Sequence, residues 1–284
     1  MKLIIQPDAG VTPIVKAIKS ARKTLDIVIF RFDRGEVEKA LGQAVDRGVD
    51  VRALIAHTNK GGEKTLRKLE LRLLEAGLTV SRTADDLPRY HGKMMIVDKV
   101  LHVFGFNLTK LDIDKSRSFG FVTKNRKLVQ EACKLFEADF NRHGYSPANP
   151  RFVVSPENSR TVLTNLIRGA KKQLLIYDQQ VSDNLVQRVL TERVKAGVKI
   201  KIIGGLEKAI EGVEVRKLAD LRLHVRAIVR DGETAFVGSQ SLRKLELDGR
   251  REVGVVVDDS RIARQIADVF DEDWRAAQKM AKAS

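Results

Sequence analysis

The sequence has little cysteine, no long apolar run and no glycine-rich nucleotide loop. Its single cysteine, Cys133, excludes a disulfide within the chain and a metal site built from several cysteines. The longest apolar runs, such as residues 25–30 and 253–257, fall far short of the roughly 20 residues that cross a bilayer. Pro7 and Asp8 interrupt the N-terminal segment before an apolar signal core could form. We therefore expect a cytoplasmic protein that needs no nucleotide cofactor.

The composition is that of a globular protein with a strong excess of positive charge. Hydrophobic residues make up 43% of the 284 residues, charged residues 31% and aromatic residues 5%. The 52 Lys and Arg residues exceed the 37 Asp and Glu residues, which gives a formal charge of +15. This charge favours partners that carry phosphates, either nucleic acid or anionic lipid headgroups, and does not distinguish between them. A merely soluble basic surface is the alternative, because the basic residues are spread along the chain.

The same order of predicted elements occurs twice. Each half begins with a strand that ends in proline, followed by a helix, a buried strand and a second helix that ends at a glycine. These glycines, Gly48 and Gly197, precede the apolar segments 49–55 and 198–203. Strand, helix and strand in this order form a βαβ unit and predict parallel pairing. Each half then ends with a hairpin and a long helix.

Two closely spaced prolines mark residues 144–150 as the predicted linker between the halves. We expect an α/β fold in which residues 1–146 form the first repeat and residues 147–284 the second. Each repeat would be a mixed β-sheet flanked by helices, and the two would pack about a pseudo-twofold axis. The halves differ mainly by an insertion at residues 60–76, which is predicted to form an extra helix in the first half.

The residues that suggest chemistry lie on the predicted hairpin of each half. A histidine is followed by a basic residue at +2, Asp at +7, Gly at +14 and an amide at +16. The first half has His91, Lys93, Asp98, Gly105 and Asn107, and the second has His224, Arg226, Asp231, Gly238 and Gln240. Because strand side chains alternate, the histidine and the basic residue should share one face, and the hairpin should return the amide to their side. Two such clusters facing each other would surround one phosphate.

This duplicated pattern, H-x-K-x4-D followed by G-x-N, resembles the phospholipase D superfamily, and the resemblance covers essentially the whole chain. It implies two tandem phospholipase D-like repeats with one active site between them, complete in a monomer. It further implies a metal-independent reaction in which one histidine attacks phosphorus to form a phosphohistidine. The other histidine protonates the leaving oxygen and then activates water or an alcohol.

The resemblance also assigns roles to the remaining motif residues. It implies that the two basic residues and the two amides stabilise the negative charge of the transition state. Asp98, Asp231, Gly105 and Gly238 would shape the hairpins. The sequence departs from the family at Arg226, which stands in place of a lysine and has a planar fork of different reach. Phe106 replaces a small hydroxyl residue, whereas Ser239 retains it. Ser239 and Ser241 are the predicted substrate-binding residues.

An acid after the second motif predicts which histidine is the nucleophile. In related two-repeat enzymes each histidine is oriented by an acidic residue of the opposite half. Glu252 has the expected place for His91, whereas Ser118 occupies the matching place for His224. We therefore predict that His91 is the nucleophile and His224 the acid. The alternative is that Glu252 pairs with a neighbouring arginine, Arg250 or Arg251, at the surface.

Three functions follow as hypotheses. The first is phosphodiester hydrolysis on nucleic acid, favoured by the charge and by the short predicted loops. The second is a phospholipase D or phosphatidyltransferase that acts on anionic phospholipid, because the family includes both. The third is a catalytically weak nucleic-acid-binding protein, which the replacement at Arg226 suggests.

Overall fold

The computed structural model describes residues 1–58 and 62–279, and its first half is a mixed sheet with helices on both faces. The strands are β1 (Lys2–Gln6), β2 (Thr24–Ile29), β3 (Asp50–Ile55), β4 (Thr79–Arg82), β5 (Arg89–Tyr90), β6 (Met94–Val97), β7 (Val100–Phe104) and β8 (Ser116–Thr123). The helices are α1 (Thr12–Ser20), α2 (Gly35–Asp46), α3 (Gly62–Glu75), α4 (Lys110–Asp114) and α5 (Arg126–Phe140). The sheet order is β1-β8-β7-β6-β2-β3-β4, in which β2–β3 and β3–β4 are the parallel pairs.

The second half repeats this arrangement. Its strands are β9 (Phe152–Ser155), β10 (Gln173–Val181), β11 (Lys199–Leu206), β12 (Val213–Lys217), β13 (Arg222–Leu223), β14 (Ala227–Arg230), β15 (Thr234–Gly238), β16 (Arg250–Asp258) and β17 (Gln278–Lys279). Its helices are α6 (Ser159–Arg168), α7 (Asn184–Lys195), α8 (Lys244–Asp248) and α9 (Ser260–Ala276). The sheet order is β17-β12-β11-β10-β14-β15-β16, with β9 also paired to β16.

The predicted βαβ units are present in both halves. β2 and β3 are parallel, as are β10 and β11. Gly48 and Gly197 follow the intervening helices with φ of 83° and 84°, a left-handed conformation that glycine adopts without steric cost. The predicted extra helix of the first half is α3, and residues 60 and 61 of that prediction lie outside the described residues. Residues 143–149 have no regular secondary structure, and the division at residues 146 and 147 stays a prediction.

The two sheets share a core that joins the halves. Buried residues from β6, β7 and β8 pack with residues from β14, β15 and β16, and α5 and α9 border this contact. Phe119 of the first half and Tyr177 of the second meet edge to face at 5.7 Å. A buried ion pair crosses the same contact, because Arg117 donates to Asp273 at 2.9 and 3.0 Å and the Tyr177 hydroxyl donates to Asp273 at 2.6 Å. No helix in the described part of the chain has the length and apolarity to span a bilayer.

Each half adds a two-residue strand to the sheet of the other. β5 of the first half runs parallel to β16, with Arg89 opposite Arg250. β13 of the second half runs parallel to β8, with Arg222 opposite Ser116. We call β5 and β13 the exchanged strands. Each of them directly precedes a motif histidine, so both histidines lie where the chain crosses from one sheet to the other.

This exchange corrects the prediction that the histidines sit on the hairpin strands. The hairpins begin only at Met94 and Ala227, so the His-x-Lys and His-x-Arg segments lie just before them. The cause is hydrogen bonding to the opposite half. The amides of His91 and Gly92 donate to the Arg251 carbonyl at 2.7 and 2.9 Å, and the His224 amide donates to the Arg117 carbonyl at 3.1 Å.

Candidate active site

Both motif histidines line one cavity of about 300 Å³ between the halves. Its walls come from both sheets and from the loops after β7 and β15. The lining residues are Phe30, Arg31, Arg89, His91, Asn107, Gln179, Arg222, His224, Arg226, Ser239, Arg243, Glu246, Arg250 and Glu252. Phe30 is the one apolar side chain among these described residues, and six of them are arginines. The cavity is therefore suited to a small, strongly anionic group.

The predicted contact between halves at His91 is present. Glu252 is completely buried, and its carboxylate lies 2.8 and 3.0 Å from His91 Nδ1. Arg250 instead contacts Glu246, and Arg251 contacts Asp139 and Glu157, so the alternative of a surface pair with Glu252 does not apply. Lys93 Nζ lies 2.8 Å from His91 Nε2, and the ring of Phe30 meets the imidazole edge to face at 4.5 Å. When Nδ1–H donates to Glu252, His91 Nε2 keeps a lone pair on the side of Lys93.

Burial and neighbouring cations favour the neutral form of His91. Burial first, and then Lys93 and Arg226, lower the pKa of His91 well below its ordinary value. Burial also lowers the pKa of Lys93 to about 7, although the Glu252 carboxylate opposes this shift. A neutral imidazole with a lone pair on Nε2 is the form that can attack phosphorus, and in this structure that lone pair faces Lys93 Nζ at 2.8 Å.

The surroundings of His224 differ from those of His91. Ser118, at the place that Glu252 occupies in the other half, donates its hydroxyl to the backbone carbonyl of His224 at 3.3 Å. Ser118 thus contacts the backbone of His224 and not its ring. His224 Nδ1 is buried and has no hydrogen-bond partner, whereas Nε2 lies 3.6 Å from Asp112 Oδ2. A proton on Nδ1 would be a buried, unsatisfied donor, so the arrangement favours the proton on Nε2.

Asp112 is a residue that the sequence reasoning missed. It is 3% exposed and lies on α4. It accepts from the Asn107 amide at 2.9 Å, from Asn107 Nδ2 at 2.6 Å and from Arg222 at 2.6 Å. Burial raises the pKa of Asp112, but the nearby His224 and these donors outweigh it and lower the pKa. The sequence does contain a signal for Asp112. The two halves carry equivalent triplets, Lys-Leu-Asp in α4 and Lys-Leu-Glu in α8, and these triplets end at Asp112 and Glu246.

Burial also has the largest effect on the pKa of His224. Burial and then Arg226 lower the pKa of His224, while the Asp112 carboxylate acts in the opposite direction. Arg226 is 6% exposed and donates to Gln179 Oε1 at 2.9 Å and to the His224 carbonyl at 3.2 Å. These two contacts leave its guanidinium fixed against the cavity that both histidines line.

The second amide and the second serine lie away from the cavity, contrary to the prediction. Gln240 is 1% exposed and donates to the Val153 carbonyl at 3.0 Å. Ser241 is fully buried and bonds Asp178, which also accepts from the Leu242 amide at 2.7 Å. Asp178 lies in β10, where it binds the loop that follows β15 and turns these side chains into the core.

The other predicted residues fall into two groups. Ser239 lines the cavity and its hydroxyl accepts from the Val253 amide at 3.1 Å, and Asn107 lines the opposite side. Asp98 and Asp231 sit at the hairpin turns with φ of 51° and 55°. Asp98 accepts from the amides of residues 22, 23 and 24, and Asp231 accepts from those of residues 171, 172 and 173. Both aspartates therefore tie a hairpin to the start of a neighbouring strand.

The motif glycines lie where the halves approach most closely. A Cβ at Gly105 would stand 2.9 Å from the Phe119 carbonyl and 3.1 Å from the Gly238 carbonyl. A Cβ at Gly238 would stand 2.7 Å from Gly254 Cα. A larger residue at Gly105 would clash across the boundary between the halves, whereas one at Gly238 would clash within the second sheet. Across residues 1–58 and 62–279, no group of three or more His, Cys, Asp or Glu side chains is placed to hold a metal ion.

Comparison with known families matches both repeats to the cardiolipin synthase, phospholipase D-like domain, over residues 14–140 and 163–274. The chain belongs to this phospholipase D-like family. No protein of curated function matches the sequence significantly. The predicted resemblance and fold class are thus confirmed.

Two solved structures have folds similar to that of this phospholipase D-like chain. A polyphosphate kinase from Porphyromonas gingivalis has a TM-score of 0.80 and 20% identity, covering 100% of this chain and 52% of its own. A phosphatidylserine synthase from Haemophilus influenzae has a TM-score of 0.76 and 11% identity, covering 98% and 87%. The chain therefore spans about half the length of the kinase, and these likenesses show a shared fold.

Proposed function

We propose that this phospholipase D-like chain is a phosphodiesterase that acts on nucleic acid through a phosphohistidine at His91. The observation that supports it most is the pair of unlike histidines in one arginine-lined cavity. His91 has an acid on Nδ1 and the Lys93 ammonium beside Nε2, whereas His224 has an acid beside Nε2. A two-step displacement needs such a difference, because one group must attack while the other donates a proton.

The proposed first step forms a bond between His91 Nε2 and phosphorus. The bond from phosphorus to the leaving oxygen breaks, and that oxygen takes the Nε2 proton of His224 in its imidazolium form, whose charge the Asp112 carboxylate 3.6 Å away stabilises. His224 is left neutral, with its remaining proton on Nδ1. The Glu252 carboxylate, 2.8 Å from Nδ1, stabilises the positive charge that the attacking imidazole acquires. Lys93 and Arg226 stabilise the extra negative charge on the non-bridging oxygens.

The second step returns the enzyme to its starting state. A water molecule attacks phosphorus and gives a proton to His224 Nε2, and the bond from phosphorus to His91 breaks. His224 is then an imidazolium again, and His91 is again neutral with a lone pair on Nε2. An alcohol in place of water would make the same reaction a transfer rather than a hydrolysis.

The lining of the cavity supports nucleic acid as the substrate. An acyl chain needs apolar wall, and among the described lining residues Phe30 alone is apolar. A polyanionic backbone instead matches six arginines and a formal chain charge of +15. A second candidate is phosphatidyl transfer, which the family's description as a cardiolipin synthase domain favours.

A parallel activity panel tests the proposal. Single-stranded DNA, duplex DNA, RNA, and vesicles of phosphatidylcholine or phosphatidylglycerol are incubated with wild type, His91→Ala and His143→Ala. His143 is exposed and outside the cavity, so its variant is the matched control. We expect cleavage of nucleic acid by wild type and by the control, and none by His91→Ala. Turnover of phosphatidylglycerol alone would support the lipid candidate, and binding of DNA without turnover would support a catalytically weak binding protein.

Chelator and salt give two further tests of the same proposal. Because Lys93 and Arg226 supply the positive field, hydrolysis of bis-p-nitrophenyl phosphate is expected to persist in excess EDTA. Loss of activity in chelator and its recovery with a divalent ion would contradict this mechanism. DNA affinity is expected to fall steeply with salt, by about 0.9 in log K per log salt for each phosphate neutralised. Salt-insensitive binding would count against nucleic acid.

A further inference from the structure

The two exchanged strands place arginines at equivalent positions with unequal surroundings. Arg89 and Arg222 each stand two residues before a histidine. Arg222 lies opposite Ser116 and donates to Asp112 at 2.6 Å, so its charge is matched. Arg89 instead lies directly opposite Arg250, and both line the cavity. Only the His91 side therefore has two cations as direct strand neighbours across the boundary between halves.

The acids on this side do not balance the arginines. Arg250 donates to Glu246 at 2.7 Å, and Arg243 bonds the same carboxylate. Among the described residues no carboxylate lies within ion-pair distance of Arg89, whose guanidinium stands 5.7 Å from the centre of the Phe30 ring. Glu252, the other acid nearby, contacts His91. Arg243 and Arg250 therefore share one carboxylate, and Arg89 has none within ion-pair distance among the described residues, so positive charge is in excess at this point.

Such an arrangement is unfavourable without an anion. Like charges directly opposite each other on paired strands are destabilising. Burial first, and then the neighbouring Arg250, lower the pKa of Arg89, which shows that the cation is disfavoured in this position. An anion that contacts all three guanidiniums would remove the repulsion, and planar guanidinium forks match the oxygens of phosphate in particular.

We infer that Arg89, Arg243 and Arg250 form a second phosphate site, which binds the phosphate next to the one that His91 attacks. This inference rests on the proposed function and narrows the substrate to molecules in which two phosphates are neighbours. A nucleic-acid backbone has this feature, and so does a phosphoanhydride chain. The shared chemistry is a phosphodiester or anhydride with a second phosphate close by.

Calorimetric titration with inorganic phosphate and pyrophosphate tests the site without any turnover. Wild type is compared with Arg89→Gln, Arg250→Gln and Arg261→Gln. Arg261 is the matched control, since its side chain is 83% exposed and lies on α9 outside the cavity. We expect wild type and the control to bind pyrophosphate about 10- to 100-fold more tightly than phosphate, and the two cavity variants to lose most of that preference. Equal affinities in wild type, or a preference that both cavity variants retain, would overturn the inference.

Turnover of matched substrates gives a second readout. Bis-p-nitrophenyl phosphate and the dinucleotide TpT have one phosphate, whereas pTpT and TpTp have a neighbouring one. Arg89→Gln is expected to raise KM about tenfold or more for the two-phosphate substrates and by a clearly smaller factor for the one-phosphate substrates. Arg89→Lys, which keeps the charge, should recover part of the lost affinity. Such a recovery would show that misfolding of Arg89→Gln is not the cause of the loss. A uniform loss on all four substrates would contradict a separate site.

The calorimetric titration and the turnover assay together also separate the inference from the proposed function. If no nucleotide is cleaved but pyrophosphate binding depends on Arg89 and Arg250, the phosphate site stands and nucleic acid fails as the substrate. Competition by tripolyphosphate against pTpT then distinguishes the sources. Preferential binding of tripolyphosphate indicates a phosphoanhydride chain, and preferential binding of pTpT indicates a nucleic-acid backbone. Each of these results supports the site.

Discussion

Replacing Asp112 by asparagine should weaken His224 as an acid and leave the nucleophile unaffected. Asp112 Oδ2 lies 3.6 Å from His224 Nε2, on the side of the imidazole that carries the proton in our proposal. Asparagine has almost the same shape and keeps an acceptor for Asn107. It removes the negative charge that favours protonated His224, so a smaller fraction of His224 carries the proton that the leaving oxygen needs.

The size of the effect follows from the distance and from the partners of the carboxylate. Two unit charges 3.6 Å apart attract by about 4–5 kcal/mol at an effective dielectric constant of about 20. Arg222, 2.6 Å from the other oxygen, already neutralises much of that charge, so the net loss is smaller. General acid catalysis contributes about 10²- to 10⁴-fold in total. Because the acid itself remains, we expect a 10- to 100-fold fall, or about 1.4–2.8 kcal/mol in the barrier.

The assay exploits the leaving group. An alkoxide, as in TpT, must be protonated as it departs, whereas p-nitrophenolate leaves readily without a proton. Asp112→Asn should therefore slow TpT by the stated factor and change the rate on bis-p-nitrophenyl phosphate by less than about threefold. Ser118→Ala is the control, because the Ser118 hydroxyl bonds the His224 carbonyl rather than the ring and should matter for neither substrate.

Equal losses on the two substrates would refute the reasoning, because they would mean that Asp112 acts on binding or on folding. A large effect of Ser118→Ala limited to TpT would also refute it and would return the role to Ser118. Thermal unfolding of both variants by circular dichroism identifies any general destabilisation.

Three further predictions concern the other half of the site and the contact between halves. Glu252→Gln should lower kcat on both substrates about 100-fold or more, and mass spectrometry after rapid denaturation without acid should find the trapped phosphoryl group on His91; unchanged turnover would contradict the assignment. Because the pKa of Lys93 is about 7 and its charged form is the active one, kcat/KM should fall as pH rises through about 7, whereas Lys93→Arg should abolish that limb; a flat profile would show that Lys93 stays charged. Arg117→Met should lower the free energy of unfolding in urea by about 3–5 kcal/mol, because it leaves Asp273 buried without its cation, and combining it with Asp273→Leu should restore most of the loss.

The repeated fold and much of the site could be predicted because their signals are local. Strand and helix periodicity, the glycines at 48 and 197, and the equal offsets of the two motifs all lie within short segments of sequence. The contact of Glu252 with His91 joins the two halves, yet it was predicted, because a family resemblance supplied the pairing. That His91 is the nucleophile stays a prediction.

The errors arose where packing between distant segments decides the position of a side chain. Gln240 has the same offset from its histidine as Asn107, but Asp178 binds the loop beside it and places the amide in the core. Asp112 reaches His224 only because α4 packs beside β8, which periodicity does not reveal. The exchanged strands are two residues long, too short for any alternating pattern to be detected.

The exchanged strands also determine when the protein can acquire activity. The backbone of each motif histidine hydrogen-bonds to the opposite half, so neither half by itself provides all the contacts that hold its histidine. While only the first half has been synthesised, His91 lacks both Glu252 and the edge of the second sheet that positions its backbone. The proposed catalysis would thus require β16 to be in place, and a chain that ends before this strand is expected to lack it.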